Sequence, residues 1–386
     1  MSIRKNIDTL LKRFEKEYVV HNHIEVSRSA ILHNISAFEK LSTQQVIPVL
    51  KGNAYGHGIA IVASALKGRR LPYIAVDGYF EALRIREVSN QPVLVMGAIL
   101  PQNFARMKYD NFAFVVQDEA TIHALGKTKK PIKVHLECNT GMNRYGAAPA
   151  DLEILTKLIL RYKNLTLEGV MSHLADSDGD NPKTVDAAIA LFDTCVEKIR
   201  ESGANPTMIH VAQSAGSLKA HSKYANTIRL GIGTYGINPF PKNHVLHDML
   251  QAKLHPALKL TSTITKVIEL NKGDKVSYNY TFTAPKKMRL GVLPLGYYEG
   301  VNRSLGNKGV VNAGAGAELP IVGRVCMNHT MINLDASGCN VNDQIVVYSN
   351  NPTDANSIDA IAERFGLFNY NLLTALSPDV RRTLVD

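Results

Sequence analysis

The sequence contains no tryptophan and only four cysteines in 386 residues. Those cysteines stand at 138, 195, 326 and 339, so none forms a CxxC pair and no His/Cys cluster has zinc spacing. A disulfide framework and a structural zinc are both disfavoured, and reduced thiols in the cytoplasm are the economical reading. Long apolar runs are missing as well. The stretch from Gly58 to Leu66 is half of what a bilayer span needs, so a membrane protein is not expected. The first residues, MSIRKNIDTLLKRFEKE, are charged throughout, which argues against a secretory signal. Ile7, Leu10, Leu11 and Phe14 recur there at helical spacing and suggest a short amphipathic extension over residues 1–20. There is no low-complexity linker and no internal repeat. The net charge is +10, but the basic residues are dispersed and only Lys127, Lys129 and Lys130 form a compact knot. A solvated surface is expected rather than a nucleic-acid interface, and the positive field can draw in an anionic ligand such as a phosphate.

What is present has a clear rhythm. Short β-rich runs occur at 46–50 (VIPVL), 73–76 (YIAV), 92–97 (PVLVMG), 112–116 (FAFVV), 132–137 (IKVHLE), 167–173 (LEGVMSH), 208–212 (MIHVA) and 227–232 (TIRLGI). Helical patterns lie between them, for example 81–88, 152–160 and 185–199. Eight strands alternating with helices predict an α/β chain with an N-terminal parallel (β/α)8 barrel, over residues 21–255. After about residue 255 the texture becomes β-rich, with turn signals at 271–274 and 314–317. This predicts a mostly antiparallel β domain over residues 256–386. One late helix is expected, with Ser357 placed to cap it and Gly366 to stop it.

Polar residues gather at the C-terminal ends of the eight runs, the rim where barrel enzymes build active sites. Lys51 follows the first, Glu137 ends the fifth with Arg144 beyond it, and His173 ends the sixth. Ser214 follows the seventh, Arg229 lies in the eighth and Gly231 ends it. Ser214 and the Gly231–Ile232 backbone are placed to hold a phosphate. A lysine at the end of a buried strand is costly unless it has a use, and a Schiff base to an aldehyde cofactor is one. Taken singly, the other positions have ordinary readings: Tyr278 as a strand tyrosine, His173 as a core histidine, Ser214 as a helix cap, Arg229 as half of a buried ion pair. His57 and His210 are read as structural.

The segment VLKGNAYGHG (49–58) closely resembles the cofactor-lysine motif of the alanine racemase family. TGMNRYG (140–146), SHLADSD (172–178), QSAGSL (213–218) and RLGIGTYG (229–236) are similar to further motifs of that family, in its order. So are VSY (276–278), LGYYEGVNRSLGNKG (295–309), GRVCMN (323–328) and NYNLLTALSPDVRR (369–382). The resemblance implies racemisation of L-alanine to D-alanine with pyridoxal 5'-phosphate, supplying D-alanine for peptidoglycan. It implies that Lys51 carries the cofactor and acts as one base, while Tyr278, reaching across a homodimer interface, is the other. Tyr55, Ser214, Ile232 and Tyr370 would hold the phosphate. Arg229 would face the pyridine nitrogen, and His173 would pack on the ring and orient Arg229. Arg144 and the Met327 amide would take the substrate carboxylate. Asp178, Tyr297, Arg303 and Arg324 would line the entrance.

The residue types suit the chemistry. Racemisation removes a proton from one face of Cα and returns one to the other, which asks for two bases on opposite faces. An arginine opposite the pyridine nitrogen does not give up its proton, so the ring is a weak electron sink and transamination is suppressed. The sequence departs from the family pattern in two places. Position 137 is glutamate where a lysine, commonly carbamylated, is usual. Asn328 and His329 replace an aspartate and a glutamine. Both changes bear on alanine specificity. In strand five Lys133, His135 and Glu137 alternate onto one face, and Glu137 is expected to pair with Arg144 directly or through water. The competing readings are a racemase for serine or a larger amino acid, a barrel decarboxylase of basic amino acids, and a non-enzymatic cofactor carrier. Arg229 argues against the decarboxylase, and the second domain with Tyr278 argues against the carrier.

Overall fold

The computed structural model describes residues 18–109 and 111–386. The expected amphipathic extension falls largely on residues 1–17, outside the described residues.

The first described strand, β1 (His23–Ser27), is followed by a helix over Arg28–Ser42 whose N-cap is the Ser27 side chain, accepting from the Ala30 amide. Then come β2 (Gln45–Pro48), β3 (Ile74–Val76), β4 (Val93–Val95), β5 (Phe112–Val116), β6 (Ile132–Glu137), β7 (Leu165–Met171), β8 (Met208–His210) and β9 (Thr227–Leu230). Strands β3 to β8 form one parallel sheet in sequential order, and β2 pairs in parallel with β9. A bridge between Val49 and Ala75 joins β2 to β3. The β8–β9 seam is closed by Asn226 N donating to Ile209 O and Arg229 N to Ala212 O, each at 3.0 Å. The eight expected strands therefore close into a barrel. They are Val-, Ile- and Leu-rich without strict alternation because both faces are covered.

Helices cover the barrel where the apolar period is 3.6. In Leu152–Arg161 the buried Leu152, Leu155, Leu158 and Ile159 share the inward face. Pro182–Glu201 buries Val185, Ile189, Phe192 and Val196 in the same way. The alternation is not complete, however. Between β4 and β5, and between β8 and β9, only the 3-10 turns Pro101–Arg106 and Gly216–Leu218 occur. The Arg28–Ser42 helix packs against β2 and the turns after β8 and β9. It takes the place a helix between β8 and β9 would fill. Gly233 makes room for it, since a Cβ there would lie 2.6 Å from the Phe38 ring.

The C-terminal half comprises β10 (Leu258–Thr263), β11 (Lys266–Leu270), β12 (Lys275–Val276), β13 (Phe282–Thr283), β14 (Met288–Leu293), β15 (Val310–Asn312), β16 (Glu318–Pro320), β17 (Thr330–Asn333), β18 (Gln344–Tyr348) and β19 (Arg381–Val385). Every strand pairing there is antiparallel except β1 with β19, and one isolated parallel bridge joins Ser349 to Ser357. Strand β1 pairs with β10 and β19, so a segment that precedes the barrel in the chain lies in the sheet of the other half. The late helix is Ile358–Phe365, capped by the Ser357 side chain and ended by Gly366 at φ 62°. A second short helix, Asn369–Thr374, returns to the barrel rim and carries Tyr370. No helix among the described residues is long and apolar enough to cross a membrane.

Candidate active site

The rim of the barrel encloses a cavity of about 200 Å³ lined by Lys51, Tyr55, Glu137, Arg144, His173 and Arg229, with Gln213, Gly231, Asp77 and Met96 among its other walls. Lys51 enters it from an unusual backbone. Residues 52 to 55 all have positive φ, at 62°, 54°, 55° and 50°, and Gly56 follows at 82°. A left-handed turn costs about 1–2 kcal/mol per non-glycine residue, and Ala54 and Tyr55 both bear it. The surroundings hold the turn in place. Gly52 N donates to Glu81 Oε1 at 2.7 Å, and the other Glu81 oxygen takes the Asp77 and Gly78 amides. Gly56 packs so closely on the Leu373 carbonyl that a Cβ would lie 1.9 Å from it. Among the described residues Lys51 has no hydrogen-bond or ion-pair partner.

The same turn delivers Tyr55 to a cradle. A Cβ on Gly231 would sit 2.7 Å from Tyr55 Oη and 3.9 Å from Ser214 Oγ. Two hydroxyls thus converge on a spot kept free by a glycine. Ser214 is buried and its Oγ accepts from Gly233 N at 3.2 Å. The 3-10 turn Ile232–Tyr235 begins beside it, with Gly231 as its first flank. Burial pushes the Tyr55 hydroxyl up to about 12, so it is a neutral donor at neutral pH. The Tyr370 ring packs 5.9 Å from that of Tyr55, and burial raises its hydroxyl too.

Arg229 is 3% exposed. Its Nη1 donates to His210 O and contacts His210 Nδ1, both at 2.8 Å. Its Nη2 donates to Ser172 O at 2.6 Å and Val211 O at 3.2 Å, and contacts His173 Nδ1 at 3.2 Å. Burial lowers its pKa to about 10, with Glu137 opposing, and it remains a cation at neutral pH. Burial and then the charges of Arg229, Arg144 and Lys51 hold His173 down at about 3, so its ring is neutral. His173 does contact Arg229 as expected, but His210, read from sequence as structural, holds it more closely. Glu137 is buried, and burial raises its carboxyl against the pull of Arg229 and Arg144. It lines the same cavity as Arg144, yet no Glu137–Arg144 ion pair within 4 Å occurs among the described residues. A direct pair is therefore not formed in the single chain, where Arg144 is exposed.

The remaining expected residues lie apart from this cavity's walls. Tyr278 is 69% exposed and Met327 55% exposed. Tyr278 sits on a 3-10 turn between Ser277 at φ 67° and Asn279 at φ 59°. Ser277 Oγ donates to Arg324 O at 2.8 Å, which joins two segments far apart in sequence. Asn328 Nδ2 donates to Glu299 Oε1 at 2.7 Å. Tyr297, Arg303, His329 and Asp178 are exposed. Residues that sequence reading missed are Glu81, Asp77, Met96, Gln213 and the His135–His210 pair. A histidine alternating with Glu137 along β6 was the available signal for the last.

A closed eight-stranded barrel with a lysine, a buried arginine and a side-chain-free cradle on one rim, followed by a β domain, is the layout of a two-domain barrel enzyme. The alanine racemase N-terminal domain model matches residues 26–239, and the alanine racemase C-terminal domain model matches residues 257–384. The chain belongs to the alanine racemase family. It is 31% identical to an alanine racemase of Carboxydothermus hydrogenoformans over 368 residues, covering 94% of this chain and 98% of that one. It is 29% identical to an alanine racemase of Methanococcus maripaludis, covering 93% and 97%. Among solved structures, the alanine racemase of Bacillus anthracis with bound L-Ala-P superposes with a TM-score of 0.85 at 28% identity, covering 96% of each chain.

Proposed function

We propose that this protein interconverts L- and D-alanine with pyridoxal 5'-phosphate, as a homodimer in which Lys51 and the partner subunit's Tyr278 are the two bases. The observation that carries the reading is the single cavity in which an unpartnered lysine, the cradle of Tyr55, Ser214 and Gly231, and the buried Arg229 meet. These residues fit the cofactor: an amine for its aldehyde, hydroxyls and backbone amides for its phosphate, a fixed cation for its ring nitrogen. When bound, pyridoxal phosphate withdraws electrons from the amino acid and makes the Cα proton acidic.

The protein's part is positioning and proton transfer. Lys51 anchors the cofactor and moves a proton at Cα on its own face. The phenol of Tyr278 serves the opposite face. It is exposed in one chain and absent from the walls of that chain's cavity, which supports its delivery by a second copy. Tyr55, Ser214, the Gly231–Ile232 backbone and Tyr370 bind the phosphate. Arg229 donates without releasing a proton at neutral pH, which favours return of the proton to Cα over transfer elsewhere. Arg144, with the Met327 amide, orients the substrate carboxylate, and Asp178, Tyr297, Arg303 and Arg324 line the way in. Supply of D-alanine to peptidoglycan in the cytoplasm is the matching role. A second reading, a racemase for a larger side chain, draws on an apolar annex of about 230 Å³ that shares Met96, Gly97, Glu137 and Tyr145 with the cavity.

Borohydride reduction of protein incubated with pyridoxal phosphate, followed by peptide mapping, is expected to mark Lys51. Racemisation assayed over single L-amino acids is expected to be fastest with alanine. Adduct on another lysine would sink the site assignment, and a faster large substrate would select the second reading.

A further inference from the structure

Behind Arg229 a second polar system runs down through the barrel, and none of the roles above uses it. His210 Nε2 lies 2.8 Å from His135 Nδ1, and His135 Nε2, which makes no hydrogen bond among the described residues, has Glu168 Oε2 at 3.5 Å. Glu168 also takes Lys133 Nζ at 2.6 Å and the Tyr73 hydroxyl. Both histidines are fully buried.

The protons in this chain have one consistent arrangement. Arginine nitrogens only donate, so His210 Nδ1, 2.8 Å from Arg229 Nη1, must present a lone pair. The neutral imidazole then carries its proton on Nε2 and donates it to His135 Nδ1. His135 in turn carries its proton on Nε2, facing the Glu168 carboxylate. A second proton on either ring would set donor against donor at 2.8 Å. Burial lowers the pKa of both histidines, which agrees with neutral rings. Burial opposes the charge on Glu168, but the nearby His135 ring, the Lys133 ammonium and the Tyr73 hydroxyl outweigh it and bring the carboxyl down to about 2.

The backbone is shaped for this arrangement. The β6–β7 register shifts between Val134 and His135, which brings Gly169 opposite His135. A Cβ on Gly169 would lie 2.3 Å from His135 Nδ1. Strand β7 therefore leaves out a side chain where the imidazole crosses it.

We propose that Glu168 is a positioning residue for Arg229: it holds His135 and His210 in one tautomer and so keeps a lone pair in front of the guanidinium. This rests on the reading of Arg229 as the partner of the cofactor ring nitrogen. Without an acceptor at 168, the His135 proton can move to Nδ1 and collide with that of His210. His210 then turns, and Arg229 loses the contact that fixes its plane.

The test combines imidazole 15N NMR of the apoprotein with the pyridine 15N resonance of labelled pyridoxal phosphate in the holoenzyme. Both wild-type histidines are expected to be protonated on Nε2 alone. Glu168→Leu is expected to give mixed tautomers, a shifted pyridine resonance and a kcat lower by about tenfold or more with KM nearly unchanged. Glu168→Gln keeps an acceptor and is expected to restore most of each signal. Gly169→Ala, which displaces His135 and leaves Glu168 intact, should resemble Glu168→Leu. Nδ1–H on either wild-type histidine would overturn the proposal. So would a folded Glu168→Leu protein with unchanged tautomers or with its pyridine resonance lost through failure to bind cofactor, or a folded Glu168→Gln protein whose tautomers are as mixed as those of Glu168→Leu. A wild-type chain that takes up no pyridoxal phosphate overturns the functional reading instead, while the apoprotein tautomers still decide the proton arrangement.

Discussion

At position 137 a carboxylate stands buried between two arginines and yet pairs directly with neither among the described residues. Its folded-state pKa is raised, with burial as the main cause. The folded protein therefore holds a proton there more readily than the unfolded chain does. Stability falls as pH rises from the unfolded value, about 4.3, through the raised one. Glu137→Gln removes that loss. The variant should melt higher than the wild type at pH 7, by an increment that shrinks toward zero near pH 4, as read by calorimetry. A lower melting temperature at pH 7 would mean that the arginines stabilise the carboxylate more than burial penalises it. The same variant should lose racemase rate, because Arg144 loses its negative neighbour. Since Glu137 is a permanent carboxylate, added bicarbonate should leave the wild-type rate unchanged in carbonate-depleted buffer.

At the scale of elements, the site is made by two backbone devices: the left-handed turn after Lys51 and the glycine at the end of β9. They predict different failures. Gly231→Ala puts a methyl 2.7 Å from Tyr55 Oη, in space that only a ligand would otherwise use. Pyridoxal phosphate affinity should fall by about 100-fold, the equivalent of roughly 2.7 kcal/mol, while the melting temperature of the apoprotein changes little. Gly56→Ala instead drives a Cβ to 1.9 Å from the Leu373 carbonyl, at a φ that disfavours side chains. Neither side of that contact is a flexible side chain. A loss of about 3 kcal/mol or more in chemical unfolding is expected, with Tyr370 displaced along with its helix. Equal stability losses in the two variants would show that Gly231 is a packing glycine rather than part of a cradle.

At the scale of the whole molecule, one chain contains both halves of the proposed mechanism but keeps them apart. Lys51 lines the cavity, whereas Tyr278 and Met327 face outward on the β domain. Exposed Tyr280, Tyr297 and Tyr298 lie on the same domain, and such aromatics suit an interface. Mixing inactive Lys51→Ala and Tyr278→Phe chains should restore activity, up to about a quarter of wild type if exchange is statistical and complete. In the heterodimer one site carries both lesions and the other neither. No recovery after subunit exchange has been verified by mass spectrometry would place Tyr278 in the same site as its own Lys51.

Much of this was legible in the residues alone, because the signals are local or periodic. The eight apolar runs show where the barrel strands lie, and Ser357 and Gly366 mark the ends of one helix by capping chemistry. Lys51 stood out as a charge at the end of a buried run, but the left-handed turn that follows it was not foreseen. Distances across the barrel carry no such local signal. That His210 sits behind Arg229, that His135 crosses β7 at Gly169, and that Glu137 and Arg144 stay unpaired depend on strand register and on a bulge in β7. The pairing of β1 with β10 and β19 is likewise invisible to periodicity, because a strand's own pattern says which face is buried and not which distant edge will take its amides. Sequence determined which segments are strands, helices and turns and which residue types were available for chemistry. Tertiary structure decided which of those residues meet, because closing the barrel brings together side chains from seven different strands and the loops after them, which share no neighbourhood along the chain.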